Sequence, residues 1–359
     1  MKEERLLMLV TAPAGAAIRE EVTQGRRPRP DYLELERVHG VELIDWSAIG
    51  GAPAHRSRVA PARLAMASLS RVRHADAVLS DGEPVGLPLA LAMLAFRINT
   101  PHLMIGHRLT ARHKRPFFTL LKSQRRITRI LVHSQRQMRL IPELGIPEEK
   151  LAFVHYHADT HFWRPSAVRE ERLVASAGRE HRDYATLAHA STGLDAEVFI
   201  ADGSGYNPKA QYTRPAELPF NLTSGFADYV ALRDLYSRAQ VVVVPLLPND
   251  FQAGVTTVLE AMSMGKAVVV TETNGQRDVV EDGVTGIVVP PRNPQRLRAA
   301  IEFVLDHPAE RDRFGRNARR AVERSHSLDL YARHLADHLR EICRSPRGVS
   351  HSAVVGGGL

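Results

Sequence analysis

A chain of 359 residues with ordinary globular composition has the length for two domains of the usual size, and its net charge is +8 at pH 7. A single cysteine, Cys343, excludes an internal disulfide framework and any cysteine-based zinc site, and points to a reducing compartment. The charge is uneven: residues 1–165 carry 25 Lys/Arg against 16 Asp/Glu, whereas residues 166–359 carry 23 against 24.

In chain order, the apolar run Leu6–Val10 is too short for a secretory core and has Glu3 and Glu4 on its flank, so it reads as a first buried strand. Val41–Trp46, Ala77–Ser80, His102–Ile105, Arg129–His133 and Leu151–His155 continue a strand series, with helices or loops between them. No run approaches transmembrane length; the longest, Val85–Phe96, is interrupted by Gly86 and Pro88. Between Pro84 and Pro142 there is no acidic residue, and His107–Arg139 gathers ten Lys/Arg around Phe117, Phe118, Leu120 and Leu121. Such a patch suits a solvated helix face, an anionic membrane surface or an anionic acceptor. Nucleic acid is disfavoured, because no nucleic-acid-binding motif accompanies the charge.

The second series is Leu173–Ala177, Glu197–Ala201, an irregular Pro208–Phe226, Val241–Val244, Ala267–Val270 and Gly286–Val289. Two alternating α/β series predict two doubly wound parallel sheets, with ligand at the carboxyl ends of the strands in the cleft between them. The boundary is expected near Phe162–Ala167, giving domains 1–165 and 166–327. A last helix over 328–344 should follow, and Ser345–Leu359 lacks a core-forming pattern and reads as a disordered tail.

Val241–Pro291 is the most informative stretch. Two β-branched runs bracket a helix over Thr256–Met264, closed by Gly265, which is one βαβ unit of a buried parallel sheet. The turn before the helix, Gln252-Ala253-Gly254-Val255, is uncharged and carries a glycine where backbone must approach something closely. N–H groups at that helix start, from Gly254 through Val255 to Thr256, would face an anion. One turn further, Glu260 is a carboxylate in an otherwise apolar run, where an ordinary core helix would not want one. A phosphate cradle with a carboxylate for sugar hydroxyls is the chemistry of a nucleotide-sugar site.

Glu260-Ala261-Met262-Ser263-Met264-Gly265-Lys266, followed by Val268–Thr271, Gly275, Asp278, Gly283, Thr285-Gly286 and Pro290, resembles the C-terminal signature of retaining GT-B glycosyltransferases of family 4. The resemblance implies a GT-B architecture, two Rossmann-like domains facing a cleft, with the C-terminal helix packing back on the N-terminal domain. It also implies the link between domains at Asp159, Phe162 and Pro165. In that family a Glu-x7-Glu pair lines the donor site. Here Glu260 matches the second position and Gln252 the first, which keeps hydrogen-bonding capacity and loses the charge. Arg179, just after Gly178, matches a family arginine, and Arg182 stands where a lysine is expected, both toward a departing diphosphate. Ion pairs with Glu180 and Asp183 are the plainer reading of those two arginines. His107, closing the strand His102–Ile105, matches the family's acceptor-facing histidine, and the turn holding Gly15 stands where a glycine-rich loop belongs.

These residues predict a retaining, metal-free hexosyl-type glycosyltransferase whose co-substrate is a UDP-sugar or GDP-sugar. Its acceptor would be lipid-linked or a small molecule, and its location cytoplasmic, with a peripheral seat on the inner membrane face if the basic segment binds lipid. The alternatives are a non-catalytic nucleotide-sugar-binding relative, suggested by Gln252, or another GT-B enzyme such as an epimerase; a phosphorylase lacks a pyridoxal-phosphate lysine context. His155, His157 and His161 have alternate spacing that could suggest metal ligands, with only Asp159 as a nearby carboxylate. His334 and His338 lack the intervening Glu of a zinc motif and are expected to be exposed.

Overall fold

The computed structural model describes residues 4–51, 57, 59–202, 212–213, 218–275 and 278–344. Two compact units emerge, each built on a six-stranded parallel sheet. The first comprises the described residues of Met1–Arg19, Pro30–Val154 and Ala332–Leu359. Its strands are β1 (Leu6–Leu9), β2 (Glu42–Ile44), β3 (Ala77–Ser80), β4 (His102–Gly106), β5 (Arg129–Val132) and β6 (Leu151–Phe153), in spatial order β2-β1-β3-β4-β5-β6. The helices in this stretch of chain are α1 (Ala16–Thr23), α2 (Asp31–His39), α3 (Ala60–Arg73), α4 (Glu83–Ala95), α5 (Arg115–Thr119) and α6 (Gln135–Leu140). Leu7, Leu9 and Val78 pack with Leu64 of α3 and Val85 and Leu89 of α4, while Met104, Ile130 and Val132 pack with Phe118 and Ile141. Strands covered on both faces read as continuous apolar runs, which is why the sequence marks them so clearly.

The second unit comprises Glu20–Arg29 and the described residues of His155–Tyr331. Its strands are β7 (Glu171–Ala177), β8 (Arg182–Asp183), β9 (Glu197–Ala201), β10 (Tyr212–Thr213), β11 (Leu222–Gly225), β12 (Ala239–Val244), β13 (Ala267–Thr271) and β14 (Gly286–Val289). The six-stranded sheet runs β11-β9-β7-β12-β13-β14, and β8 pairs with β10 in a small separate ladder. Helices α7 (Tyr184–Ser191), α8 (Tyr229–Arg238), α9 (Val255–Ser263), α10 (Pro294–Asp306) and α11 (Pro308–Ser325) complete it. The final helix, α12 (Leu328–Arg344), belongs to the first unit from Ala332 onward. There Glu341 accepts from Arg129 at 2.9 Å and Glu4 accepts from Arg344 at 2.8 Å.

Several boundaries differ from the sequence reading. The division falls at Val154/His155 rather than near Phe162–Ala167, because Phe162 and Trp163 are buried in the second unit's core with Tyr236 and Val242. Asp159 is likewise held there, accepting from the Arg29 guanidinium at 2.9 Å. Within the stretch taken as irregular, β11 is a full strand beside β9; residues 203–211 and 214–217 lie outside the described residues. β8 has only two residues, too few for a periodicity to show. The tail Ser345–Leu359 also lies outside the described residues. No helix among the described residues is long and apolar enough to cross a membrane.

Each sheet has one point where the strand order reverses: β1/β3 in the first unit and β7/β12 in the second. At such points the connections leave in opposite directions and open a crevice at the carboxyl ends of the strands. The chemistry-bearing residues of both units gather there.

Candidate functional site

In the second unit the crevice is walled by the loop after β7 and the loop between β12 and α9. Gly254 caps α9 in the left-handed region, φ +79°, where a side chain would be strained, and no side chain caps the helix. The first-turn N–H groups of a helix have no partner within it, so this uncapped start is a place for an anion. Behind it lies Arg182, which is buried, contrary to the ion-pair reading. Its Nε donates to Ala177 O at 2.8 Å, Nη1 to Glu180 O at 2.9 Å and Nη2 to Thr257 Oγ1 at 3.0 Å. Arg182 therefore ties the β7 loop to the first turn of α9. Asp183 caps α7 through Thr186 N, and Arg179 lies half-buried on the same loop.

Glu260 is 7% exposed and sits six residues beyond the cap, in the second turn of α9. Burial pushes its carboxyl up to about 8, and the nearby Arg182 guanidinium and Tyr236 hydroxyl oppose that rise. The carboxyl is thus largely protonated at neutral pH. Burial also carries the Tyr236 hydroxyl well above its usual value. Tyr236 was not legible as a site residue, since it lies 24 positions away on α8 and reads as core. Gln252 is half-buried and its Oε1 is enclosed without a hydrogen-bond partner. Val255 is buried and Thr256 exposed at the helix start.

In the first unit, His107 follows β4. Its Nε2 lies 3.0 Å from the Asp81 carbonyl, so that nitrogen carries the proton in the neutral ring. The His133 ring stands 5.7 Å away, centre to centre. At the β1/β3 switch point the Asp81 carboxylate accepts from Thr11 N and, at 2.7 Å, from Thr11 Oγ1. Its other oxygen is enclosed without a partner. Burial raises this carboxyl to about 6, against the Thr11 bonds and the nearby His107. Glu83 is buried too, yet His107, Lys114 and the Arg108 N–H hold its pKa below the usual carboxylate value. Sequence reading missed Thr11, Asp81, Glu83 and His133; the one available signal was their position just past strand ends. Gly15 is exposed, and a Cβ there would meet nothing within 4 Å, so no contact within the protein requires glycine at that position.

The structure sorts the basic segment. Lys114 turns inward to Glu83 at 3.1 Å, Arg129 pairs with Glu341, and Arg126 donates to Asn99. Arg112, His113, Arg115, Lys122 and Arg125 remain exposed, beside Leu120 (76% exposed) and Leu121 (48%). The other histidines go to separate places. His155 packs edge-on to His326 at 4.7 Å, His157 stacks on Tyr331 at 4.2 Å, and His161 lies 3.3 Å from Asp329. Among the described residues no group of three or more His, Cys, Asp or Glu could hold a metal ion. His338, expected to be exposed, is half-buried against Arg129 at 2.9 Å, because α12 joins the first unit on that face.

Two Rossmann-like parallel-sheet units with their polar clusters at the switch points define the GT-B class of fold. The structure of Anabaena Alr3699/HepE in complex with UDP and glucose superposes with a TM-score of 0.68 at 15% identity, over 94% of this chain and 100% of that one. Residues 211–321 match the family model for glycosyl transferases group 1. The alpha-D-kanosaminyltransferase of Streptomyces kanamyceticus is 30% identical over 181 residues, 50% of this chain and 46% of that protein. The N,N'-diacetylbacillosaminyl-diphospho-undecaprenol alpha-1,3-N-acetylgalactosaminyltransferase of Campylobacter jejuni is 23% identical over 232 residues, 62% of this chain and 60% of that protein. The chain spans about half the length of the first of these relatives.

Proposed function

We propose that the protein transfers a hexosyl group from a nucleoside diphosphate sugar to an acceptor hydroxyl, with retention and without a metal ion. The observation that carries this reading is the second switch point. There the uncapped start of α9, the Arg182 guanidinium that braces it and the buried Glu260 gather around the first two turns of that helix. Gly254, Val255 and Thr256 would offer backbone to the diphosphate, and Arg179 would neutralise the charge that grows on the leaving oxygen. Arg182 would act from beneath, through the second hydrogens of Nη1 and Nη2. Glu260 would hold the ribose hydroxyls and Gln252 a hydroxyl of the transferred sugar. Gly15 and His107 would serve from the first domain, His107 presenting its unprotonated nitrogen to a sugar hydroxyl.

UDP and glucose in the Anabaena structure favour a UDP-sugar over a GDP-sugar. The test is a panel of sugar nucleotides with release of free UDP or GDP as the readout, run with and without EDTA. Turnover that survives EDTA supports the reading, and strict dependence on added Mn²⁺ or Mg²⁺ overturns its metal-free part. Nucleotide binding without turnover of any donor would favour a non-catalytic relative, as the change of Glu to Gln252 suggests.

We propose an acceptor that is lipid-linked or a small molecule, and a cytoplasmic protein that takes a peripheral seat on the inner membrane face if the basic segment binds lipid. The Campylobacter relative named for a diphospho-undecaprenol substrate supports the lipid arm, and the kanosaminyltransferase the other. Exposed Arg112, Arg115, Lys122 and Arg125 around Leu120 and Leu121 have the make-up of a surface-lying membrane element. Each charge near an anionic leaflet contributes about 1 kcal/mol, fading with salt. Co-sedimentation with anionic liposomes at low salt, lost when these four become Gln, is the expected result. Wild-type protein that ignores such liposomes would assign the patch to a solvated face.

A further inference from the structure

His107 stands where the first unit's sheet stops holding the backbone. Gly106 is the last residue of β4 with a ladder partner, Val132 of β5. An exposed ring on the next residue keeps one orientation only if the peptide that follows it is fixed. Asp81, Gly82 and Glu83, at the start of α4, surround that peptide and the ring. The Asp81 carbonyl faces His107 Nε2 at 3.0 Å. Gly82 lies against the ring edge: a Cβ there would stand 3.3 Å from His107 Cδ2, so the imidazole packs on bare backbone. Glu83, 2% exposed, accepts from the Arg108 N–H at 2.7 Å and so fixes the peptide joining His107 to Arg108.

A buried carboxylate is a costly way to hold a loop, and it persists only with charge and hydrogen bonds around it. Glu83 Oε1 takes the Lys114 ammonium at 3.1 Å as well as the Arg108 N–H, and Lys114 donates in turn to the Arg108 carbonyl at 3.0 Å. Both backbone polar groups of Arg108 are thus tied to one ion pair. Against the upward push of burial, His107, Lys114 and the Arg108 N–H keep the Glu83 carboxyl ionised. The plainer reading is a pair that merely closes the loop from Arg108 to Lys114. Leu109, fully buried, already anchors that loop by apolar packing. What the pair adds is a fixed direction for the peptide plane beside His107.

We infer that Glu83 is a positioning residue: by accepting the Arg108 N–H it holds the His107 ring on the Asp81 carbonyl, leaving Nδ1 to accept from substrate. The consequence for turnover rests on the reading of His107 as a residue that meets the sugar. The seat itself rests on the hydrogen bonds alone.

Two double variants of the full-length protein separate the acceptor from the charge. Glu83→Gln with Lys114→Met and Glu83→Met with Lys114→Met strand no ion, and they differ in whether residue 83 can accept the Arg108 N–H. Glu83→Leu with Lys114→Met replaces the second pair if that one does not fold. Long-range proton–nitrogen NMR of protein labelled at its histidine nitrogens reads the ring directly, with His107→Gln identifying the signal. Wild type and the Gln pair should show one tautomer, protonated at Nε2, and the Met pair a mixture. Turnover, read as UDP released from UDP-glucose, should be about ten- to a hundredfold lower in the Met pair than in the Gln pair, the scale for a group misplaced by about 1 Å. UDP affinity should be equal in the two. In a His107→Gln background the same exchange at residue 83 should change turnover less than about twofold, since no ring remains to be placed. An equal loss in both backgrounds, or a Met pair whose ring keeps the single Nε2-protonated form, overturns the inference. Wild-type protein that turns over no donor, or His107→Gln as active as wild type, removes the proposed role of His107 instead, and the tautomer readout then decides the seat alone.

Discussion

The two switch points use the same device with different materials. At β7/β12 the site is nearly contiguous in the chain: cap, helix start and Glu260 lie within Gln252–Glu260, and only Arg179 and Arg182 come from the preceding strand's loop. At β1/β3 the cluster is assembled from Thr11, Asp81, Glu83, His107 and His133, each from the end of a different strand or the helix after it. Both bury a carboxyl, yet the carboxyls differ. Glu260 has Tyr236 and Arg182 beside it and still rises to about 8. Asp81 takes two donors from Thr11 and rises only to about 6. Direct hydrogen bonds from one loop offset burial more fully than a guanidinium already committed to three other acceptors. A nucleotide-facing helix can present its motif in one stretch of sequence, whereas a sheet edge must gather residues from afar.

The comparison is broken most severely at the arginines. Arg179→Ala and Arg182→Ala should each lower turnover by about 10²–10³, the range for losing one electrostatic stabiliser. They should differ in stability. Arg182→Ala strands the Ala177 and Glu180 carbonyls and Thr257 and should lower Tm by several degrees, at about 1–3 kcal/mol per stranded buried group. Arg179→Ala should lower Tm less, since Arg179 is half-buried where Arg182 is buried. Turnover within a factor of about two of wild type for Arg179→Ala would return it to the surface.

Glu260 comes next. Glu260→Ala should weaken nucleotide binding about three- to tenfold, the value of one hydrogen bond made by a protonated carboxyl. Calorimetry that finds equal affinity removes it from the site. The pH dependence sharpens the point. A carboxyl whose folded pKa is raised to about 8 from 4.5 favours the folded state fully below about pH 4.5, and this contribution is lost as pH rises through about 8. Relative to Glu260→Gln, which does not titrate, wild-type Tm should therefore fall across that window. Parallel Tm curves for the two proteins would mean that Glu260 titrates normally.

Asp81 should give the smallest effect. Its pKa is raised from 3.8 to about 6, so its contribution to stability is lost over that narrower range. Asp81→Asn retains an oxygen for the Thr11 N–H and should gain stability relative to wild type as pH rises from about 4 to about 6, with the difference constant above that. A large loss of stability at pH 7 in Asp81→Asn would show instead that the ionised form is what the fold requires.

Much of the second site was legible from Val241–Pro291 alone, because the β-branched runs, Gly254, Glu260 and Gly265 are read in order along the chain. The predicted helix Thr256–Met264 is α9 displaced by one residue. Arg182 was legible as a position but not as a buried brace, since burial depends on Gly178, Gly254 and Thr257 meeting in space. The wholly basic patch of charge between His107 and Arg139 was likewise legible, while the inward turn of Lys114 and Arg129 needed Glu83 and Glu341, which lie outside that stretch.

By itself the sequence determined the alternation of strands and helices, the parallel character of both sheets and the start of α9 at Gly254, because period, β-branching and glycine placement act over neighbouring residues. Tertiary structure alone decided the unit boundary, which followed the burial of Phe162 and Trp163, and the β1/β3 cluster. It also decided the close approach of Gly275 to Phe251, which needs β12 and β13 side by side. Proximity between residues distant in sequence is set by the packing of whole sheets, and no local preference of those residues encodes it.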